Sequence, residues 1–327
     1  MSSLLGDKIL KIANYNVENL FDLKKNGYEY QEYVPNSSSR WNKKNYTIKL
    51  KNISKVLTQI NADIVTLQEI ESLTALKDLR KQLKRDGVYY KYFAIANKKN
   101  TTVKVAILSK IPFVYTKEIS VTSSYKFRNI LEVKLRPRKN TELYIFVNHW
   151  KSKGGPESMR IISAKALLKR IKQIGFEKNI ILTGDFNSDY EEYIKFKRKR
   201  KHNNTNGKTG INHVLSSINQ KSIASQSKKN QNGFYNLWYD VEKEQRYCYI
   251  FKGKKETLDN ILISQPLLFG TQGILYQHNS MHSVQSKFLF KGKRIYRWQT
   301  TRKKPRKHKG KGYSDHLPIV ANFIIKS

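Results

Sequence analysis

"GYSDHLPIV", Gly312 to Val320, sets a carboxylate (Asp315) and an imidazole (His316) side by side at the foot of an apolar run that continues to Ile325. "LPIVANFII" has the length and the branched, aromatic content of a buried strand. Apolar strands with polar tips recur five more times. "KILKIANYNV" leads into Asn16 and Glu18, "ADIVTLQEI" ends at Glu69, and "ELYIFVNHW" ends at His149. "NIILTGDFN" closes on Asp185 and Asn187, while Asp259 and Asn260 open "LDNILIS". One polar residue at a strand end is a cap or a turn. Six such tips, five of them carrying a carboxylate, fit strands in two packed sheets whose ends converge on one edge.

The remaining segments support that layering. Leu50, Ile53, Val56, Leu57 and Ile60 recur at helical spacing, as do Leu73, Leu76, Leu79 and Leu83. "ESMRIISAKALLKRIKQI" is the clearest helix, with Ile162, Leu167, Ile171 and Ile174 on one side. "YYKYFAIA", "VKVAILS" and "NILEVKLR" add strands. Strands outnumber helices and follow one another directly, so an α/β sandwich with outer helices is expected rather than a regular βαβ alternation. No repeat or Pro/Ser-rich linker divides the chain. We expect a single domain over residues 1–327, with polar, basic surface insertions at about 191–233 and 264–314. From Asn260 to Ser314 there is no Asp or Glu.

Charge narrows the partner. The chain has 63 Lys+Arg against 25 Asp+Glu, a net charge of +38. That excess repels itself unless a polyanion is bound, and nucleic acid is the leading candidate. Cys248 alone excludes an intramolecular disulfide and a cysteine-rich zinc site. No run reaches the length of a membrane helix. "MSSLLGDKIL" shows no basic start before a long apolar core, so no secretory signal is visible, and location is left open, export included.

Hard oxygen donors without cysteine suit Mg²⁺ or Mn²⁺, with Ca²⁺ as an alternative. Two imidazoles among carboxylates can exchange protons near neutral pH. Together with asparagine donors they form a phosphoester-cleaving set. "NYNVENLF", "TLQEIES", "VAILSK", "VNHWKS", "LTGDFNSD", "TLDNILIS" and "YSDHLPIV" occur in the order that resembles the endonuclease/exonuclease/phosphatase superfamily, with "HWKSKGG" and "NLWY…TLDNIL" resembling its bacterial nucleases. The resemblance implies a four-layer αββα sandwich of the deoxyribonuclease I-like fold. It implies Glu69 as principal metal ligand, helped by Asn16 and Asp315, with Glu18 close by. Asp185 and Asn187 would orient or activate the attacking water. Asp259 would hold His316 at the scissile phosphate, His149 would be the second imidazole and candidate acid, and Arg128 would contact phosphate. Gly87 to Lys117 holds no acid, so the glutamate that orients the counterpart of His149 in deoxyribonuclease I has no equivalent there. Abasic-site endonucleases carry tyrosine at the His149 position and Arg-x-Asp-Tyr where this chain reads "TLDN".

Lys151 and Lys153 follow His149 and are candidates to clamp a substrate backbone. Trp238, Tyr239, Tyr247 and Tyr249 are expected to pack a hairpin into the core. His202, His213, His278, His282 and His308 are expected at the surface. The basic runs Lys195–Lys201 and Arg302–Lys311 flank the catalytic tips and would deliver a phosphate backbone with little base readout. The expectation is a metal-dependent, largely sequence-nonspecific DNA endonuclease, with RNA left open and a monomer without protein partners. The alternatives are a lipid-directed phosphodiesterase or phosphatase of the same fold, sphingomyelinase- or inositol-phosphatase-like, and an inactive nucleic-acid-binding module.

Overall fold

The computed structural model describes residues 6–196, 202–217 and 232–327. Strand β1 (Lys8–Leu20) leads through helix α1 (Lys43–Ile60) to β2 (Ile64–Ile70) and α2 (Leu73–Arg85). Five strands follow: β3 (Tyr92–Ile95), β4 (Lys104–Ser109), β5 (Phe113–Ile119), β6 (Ile130–Arg138) and β7 (Thr141–His149). Helix α3 (Glu157–Ile174) returns the chain to β8 (Ile180–Asp185), ahead of the short α4 (Glu192–Lys195). Then come β9 (Tyr235–Asn236), the hairpin β10 (Tyr249–Phe251) and β11 (Lys254–Glu256), β12 (Asp259–Ile263) and α5 (Gln265–Phe269). The chain finishes with β13 (Ile274–Tyr276), β14 (His282–Ser283), the hairpin β15 (Phe290–Lys291) and β16 (Arg294–Ile295), and β17 (Ile319–Ile325).

These strands form two mixed sheets. The first runs β13-β17-β1-β2-β4-β3, with β14 beside β17; the second runs β5-β6-β7-β8-β12-β9. The two parallel pairs, β1–β2 and β7–β8, are bridged by α1 and α3 respectively, as parallel neighbours require a crossover. Three apolar clusters define the layers. Leu10, Ile12, Val105, Ile107, Val133, Ile145, Val147, Ile181, Ile261 and Phe323 fill the space between the sheets. The far face of the first sheet packs Ala13, Val65 and Leu67 on Ile53, Leu57, Leu76 and Leu79 of α1 and α2. The far face of the second packs Phe146 and Leu182 on Ala164, Leu167 and Ile171 of α3. Helix, sheet, sheet, helix: the fold is the four-layer αββα sandwich.

Local signals set the helix boundaries. Asn42 and Ser72 accept hydrogen bonds from Asn45 N and Ala75 N, capping α1 and α2. Asn61 ends α1 in the left-handed region at φ 48°.

The structure differs from the sequence reading at four points. Strand β5 carries no recognisable period because it is a sheet edge with its side chains half to fully exposed. Ile162 is 39% exposed, because the inward stripe of α3 runs through Ser163, Ala164, Leu167 and Ile171. His308 is not a surface residue but is 3% exposed; it accepts from Trp298 Nε1 at 2.7 Å and reaches the Glu32 carbonyl at 2.8 Å. Segment 264–314 contributes β13 and β14 to the first sheet, so its first twenty residues build the edge of the fold. Of segment 191–233, residues 197–201 and 218–231, with most of the basic run Lys195–Lys201, lie outside the described residues. Lys195 itself pairs with Asp189 at 2.5 Å.

Candidate active site

The site grows out of the layer between the sheets. Side chains alternate along a strand, so the face that carries Leu10 and Ile12 on β1 next presents Asn14 and Asn16. On β2 the face of Ile64 continues through Thr66 and Gln68. On β7, Ile145 and Val147 lead to His149; on β8, Ile181 and Thr183 lead to Asp185; on β12, Ile261 and Ile263 share a face with Asp259. The apolar filling therefore stops at one end and polar side chains take its place, aimed at one another from both sheets. All of them are buried.

Glu69 has the wrong parity for this face, and a backbone irregularity corrects it. Its φ is 66°, and the β2–β4 register shifts between Gln68 and Ile70. The bulge turns the carboxylate into the site, where Glu69 Oε1 accepts from Asn16 Nδ2 at 3.3 Å. Asn16 Nδ2 also donates to Asp185 Oδ2 at 3.1 Å. Asp185 Oδ1 accepts from the Asn187 backbone at 2.8 Å, and Asn187 Nδ2 donates to the Trp150 carbonyl at 3.2 Å. His149 Nε2 stands 3.6 Å from Asp185 Oδ2 and 3.8 Å from Glu69 Oε1. Its buried Nδ1 has no hydrogen-bond partner among the described residues.

His316 and Asp259 form the second half. His316 Nδ1 lies 2.5 Å from Asp259 Oδ2. The other oxygen, Oδ1, accepts from Asn14 Nδ2 at 3.0 Å, and Asn14 is fixed in turn by Thr66 and Gln68, at 2.8 and 2.7 Å. Ser314 Oγ donates to the Asn16 carbonyl at 2.7 Å and accepts from His316 N at 3.1 Å, tying this loop to β1. Leu317 N donates to the Cys248 carbonyl at 2.7 Å, which ties it to the residue just before β10.

The electrostatics follow from this crowding. Burial, followed by the nearby Asp315 charge, pushes the Glu69 carboxyl up. Burial and Asp315 push Glu18 up to about 8, and burial pushes Asp185 up to about 7 against the pull of His316. Burial, Arg128 and His316 hold His149 far below its usual range, as a neutral ring. For His316 burial also disfavours charge, yet the Asp259 carboxylate outweighs it and the ring is held well above its usual range. Glu69, Asp185 and Asp315 beside the Asn16 carboxamide are a set of hard oxygen donors. That composition fits a hard divalent cation.

The structure brings Asn16, Glu69, His149, Asp185, Asn187, Asp259, Asp315 and His316 to one edge. Glu18 is there too, but its carboxylate is engaged by Arg297 and by Trp298 N at 3.0 Å. Arg128 lies at the rim, with Nη1 3.4 Å from the Trp150 carbonyl. Lys153 is paired with Glu192 at 3.0 Å, and the stem of Lys151 covers Gly155. Between Lys153, Asn187, Tyr249 and Phe251 a cleft of about 550 Å³ opens beside these polar groups. Sequence reading missed Asn14, Thr66, Gln68 and Arg297. The first three were findable by counting back in twos from the strand tips; Arg297 was one cation among many.

Comparison with known proteins bears on the family and the fold. The model of the Endonuclease/Exonuclease/phosphatase family matches residues 11–231. The chain belongs to this family. Membership makes it a phosphate-ester hydrolase by class. Humanized D. rerio TDP2, carrying 14 mutations, superposes on the endonuclease/exonuclease/phosphatase fold of this chain with a TM-score of 0.61 at 15% identity, covering 96% of this chain and 98% of that one. D. rerio TDP2 complexed with a single-strand DNA product gives 0.59 at 15%, over 96% and 98%. The mannosyl-6-phosphatase of Bacteroides thetaiotaomicron gives 0.57 at 15%, over 96% and 99%. At such identities the likeness is one of fold. No curated protein sequence matches the chain.

Proposed function

We propose that the chain is a divalent-metal-dependent phosphodiesterase that cuts DNA as an endonuclease with little sequence preference. The observation that carries this reading is the meeting of two linked sets on one edge: Glu69–Asn16–Asp185–Asn187 and Asn14–Asp259–His316. Glu69, Asn16 and Asp315 would hold the ion, which supplies Lewis-acid stabilisation of the phosphate charge. Asp185, fixed by Asn16 and Asn187, orients the attacking water and takes its proton. His316, locked through Nδ1 by Asp259, presents Nε2 to the phosphate and the departing oxygen. His149 lies between Glu69 and Asp185 and adds a second ring to the phosphate pocket. Arg128 and Lys151 would contact the flanking backbone. Glu18 drops out of the metal-ligand set, since its oxygens already have partners.

The net charge of +38 favours a long polyanion over a small phosphate ester or a lipid headgroup. No helix among the described residues is long and apolar enough to cross a membrane. Incubation with supercoiled plasmid in Mg²⁺, Mn²⁺, Ca²⁺ or EDTA tests the reading. Nicking followed by linearisation in Mg²⁺ or Mn²⁺, abolished by EDTA and restored by added metal, is expected. Cleavage that persists in EDTA rejects the metal dependence. An intact plasmid alongside hydrolysis of RNA or of a small phosphate monoester rejects the DNA assignment.

A further inference from the structure

Arg297 stands apart from the other cations of the acid-free segment because it enters the site. Its Nε donates to Glu18 Oε1 at 2.8 Å, and its Nη2 both contacts the same oxygen and lies 3.2 Å from Asp315 Oδ2. The neighbouring Trp298 N takes Glu18 Oε2 at 3.0 Å. One guanidinium therefore spans two carboxylates that come from opposite ends of the sequence, and 55% of its side chain stays exposed.

Two features of the backbone serve this contact. Glu18 and Asn19 both have left-handed φ, 51° and 64°, where the β1–β2 register shifts between Asn16 and Leu20. Two consecutive non-glycine residues in that region are costly and persist only where the surroundings demand them. On the other side, Tyr313 N bonds Tyr296 O at 2.8 Å and Gln299 N bonds Lys311 O at 2.8 Å, so the chain leading to Asp315 runs alongside the segment that carries Arg297. Gly312, at φ 90°, lets the two backbones touch: a Cβ there would land on the Arg297 carbonyl.

We infer that Arg297 is a positioning residue of the catalytic centre: anchored by Glu18, it fixes Asp315 and competes with the divalent ion for the Asp315 carboxylate. The inference rests on Asp315 being a ligand of that ion. The guanidinium keeps Asp315 in place before the ion arrives and partly neutralises it. The same contact weakens the site's hold on the ion and sharpens its geometry. The acid-free segment would then be the frame that carries Arg297 to the centre, beyond any role as a basic surface.

The consequence is a split that general unfolding does not produce. Arg297→Met should bind Mn²⁺ more tightly by calorimetry, by about fivefold or more, the lower end of usual coupling between sites, while kcat on DNA falls at least as far. Arg297→Lys retains the charge and loses the fork, so Mn²⁺ affinity should stay near the parent's while kcat still falls. A melting temperature close to the parent's shows that both variants are folded. Unchanged or weaker Mn²⁺ binding by folded Arg297→Met overturns the assignment. Parent protein that binds no Mn²⁺ overturns the metal centre itself and this inference with it, so the two failures are distinguishable.

Discussion

His316→Ala is expected to lower kcat/KM for DNA cleavage by about 10³-fold or more, within the range of a positioned acid–base group that also contacts the reacting phosphate. The argument is geometric. Nδ1 is committed to Asp259 at 2.5 Å, Asp259 is committed through its other oxygen to Asn14, and Asn14 is held by Thr66 and Gln68. The ring is thus oriented by a buried chain of four residues from both sheets, leaving Nε2 for the substrate. Asp259→Asn keeps the shape and removes the charge that favours the imidazolium, so a smaller loss of about 10²-fold is expected. Steady-state rates on an end-labelled duplex check both. A loss below tenfold for His316→Ala would remove this imidazole from the chemistry.

The second large effect falls on folding. Gly184→Ala should destabilise the protein by more than about 4 kcal/mol, an exceptional loss for a single substitution. Gly184 has φ 139°, and a Cβ there would overlap the Asn148 carbonyl on the adjacent strand. That strand is β7, paired in parallel with β8 so that Asn148 faces Gly184 and His149 faces Asp185. Backbone in a paired, fully buried strand cannot step aside as a flexible side chain would. The glycine of "GDFN" is thereby explained: it lets two strands close enough for His149 and Asp185 to meet. Chemical denaturation or soluble yield measures the effect. A Gly184→Ala protein that melts within a few degrees of the parent would show that the strand can move.

Most of the layered fold was legible because the apolar periods are long. "ESMRIISAKALLKRIKQI" coincides with α3, and the strand-tip pattern located the edge where Asp185, Asp259 and His316 meet. Edge strand β5 was not legible, since an edge needs neither alternation nor continuous burial. Glu69 could be placed at a strand tip, but only its φ of 66° shows how an odd-numbered residue reaches a face built from even-numbered ones. The gap left by the missing orienting acid is visible in the structure as a His149 Nδ1 with no partner among the described residues. His308 looked like one more polar residue in a basic run, yet Trp298 and Glu32 hold it inside. Arg297 was hidden by composition: among so many Lys and Arg, only three-dimensional contact marks the one that pairs with Glu18 and Asp315.

The most direct measurement compares binding and cleavage of one fluorescent DNA duplex by the parent and by Glu69→Ala in Mn²⁺. Glu69 lies at the centre of the proposed ion site, whereas the excess of Lys and Arg proposed to attract DNA is spread over the chain. The account predicts near-parental binding by anisotropy and cleavage lost by at least about 10²-fold, as for removal of a principal electrostatic contributor. Undiminished cleavage by Glu69→Ala would contradict it.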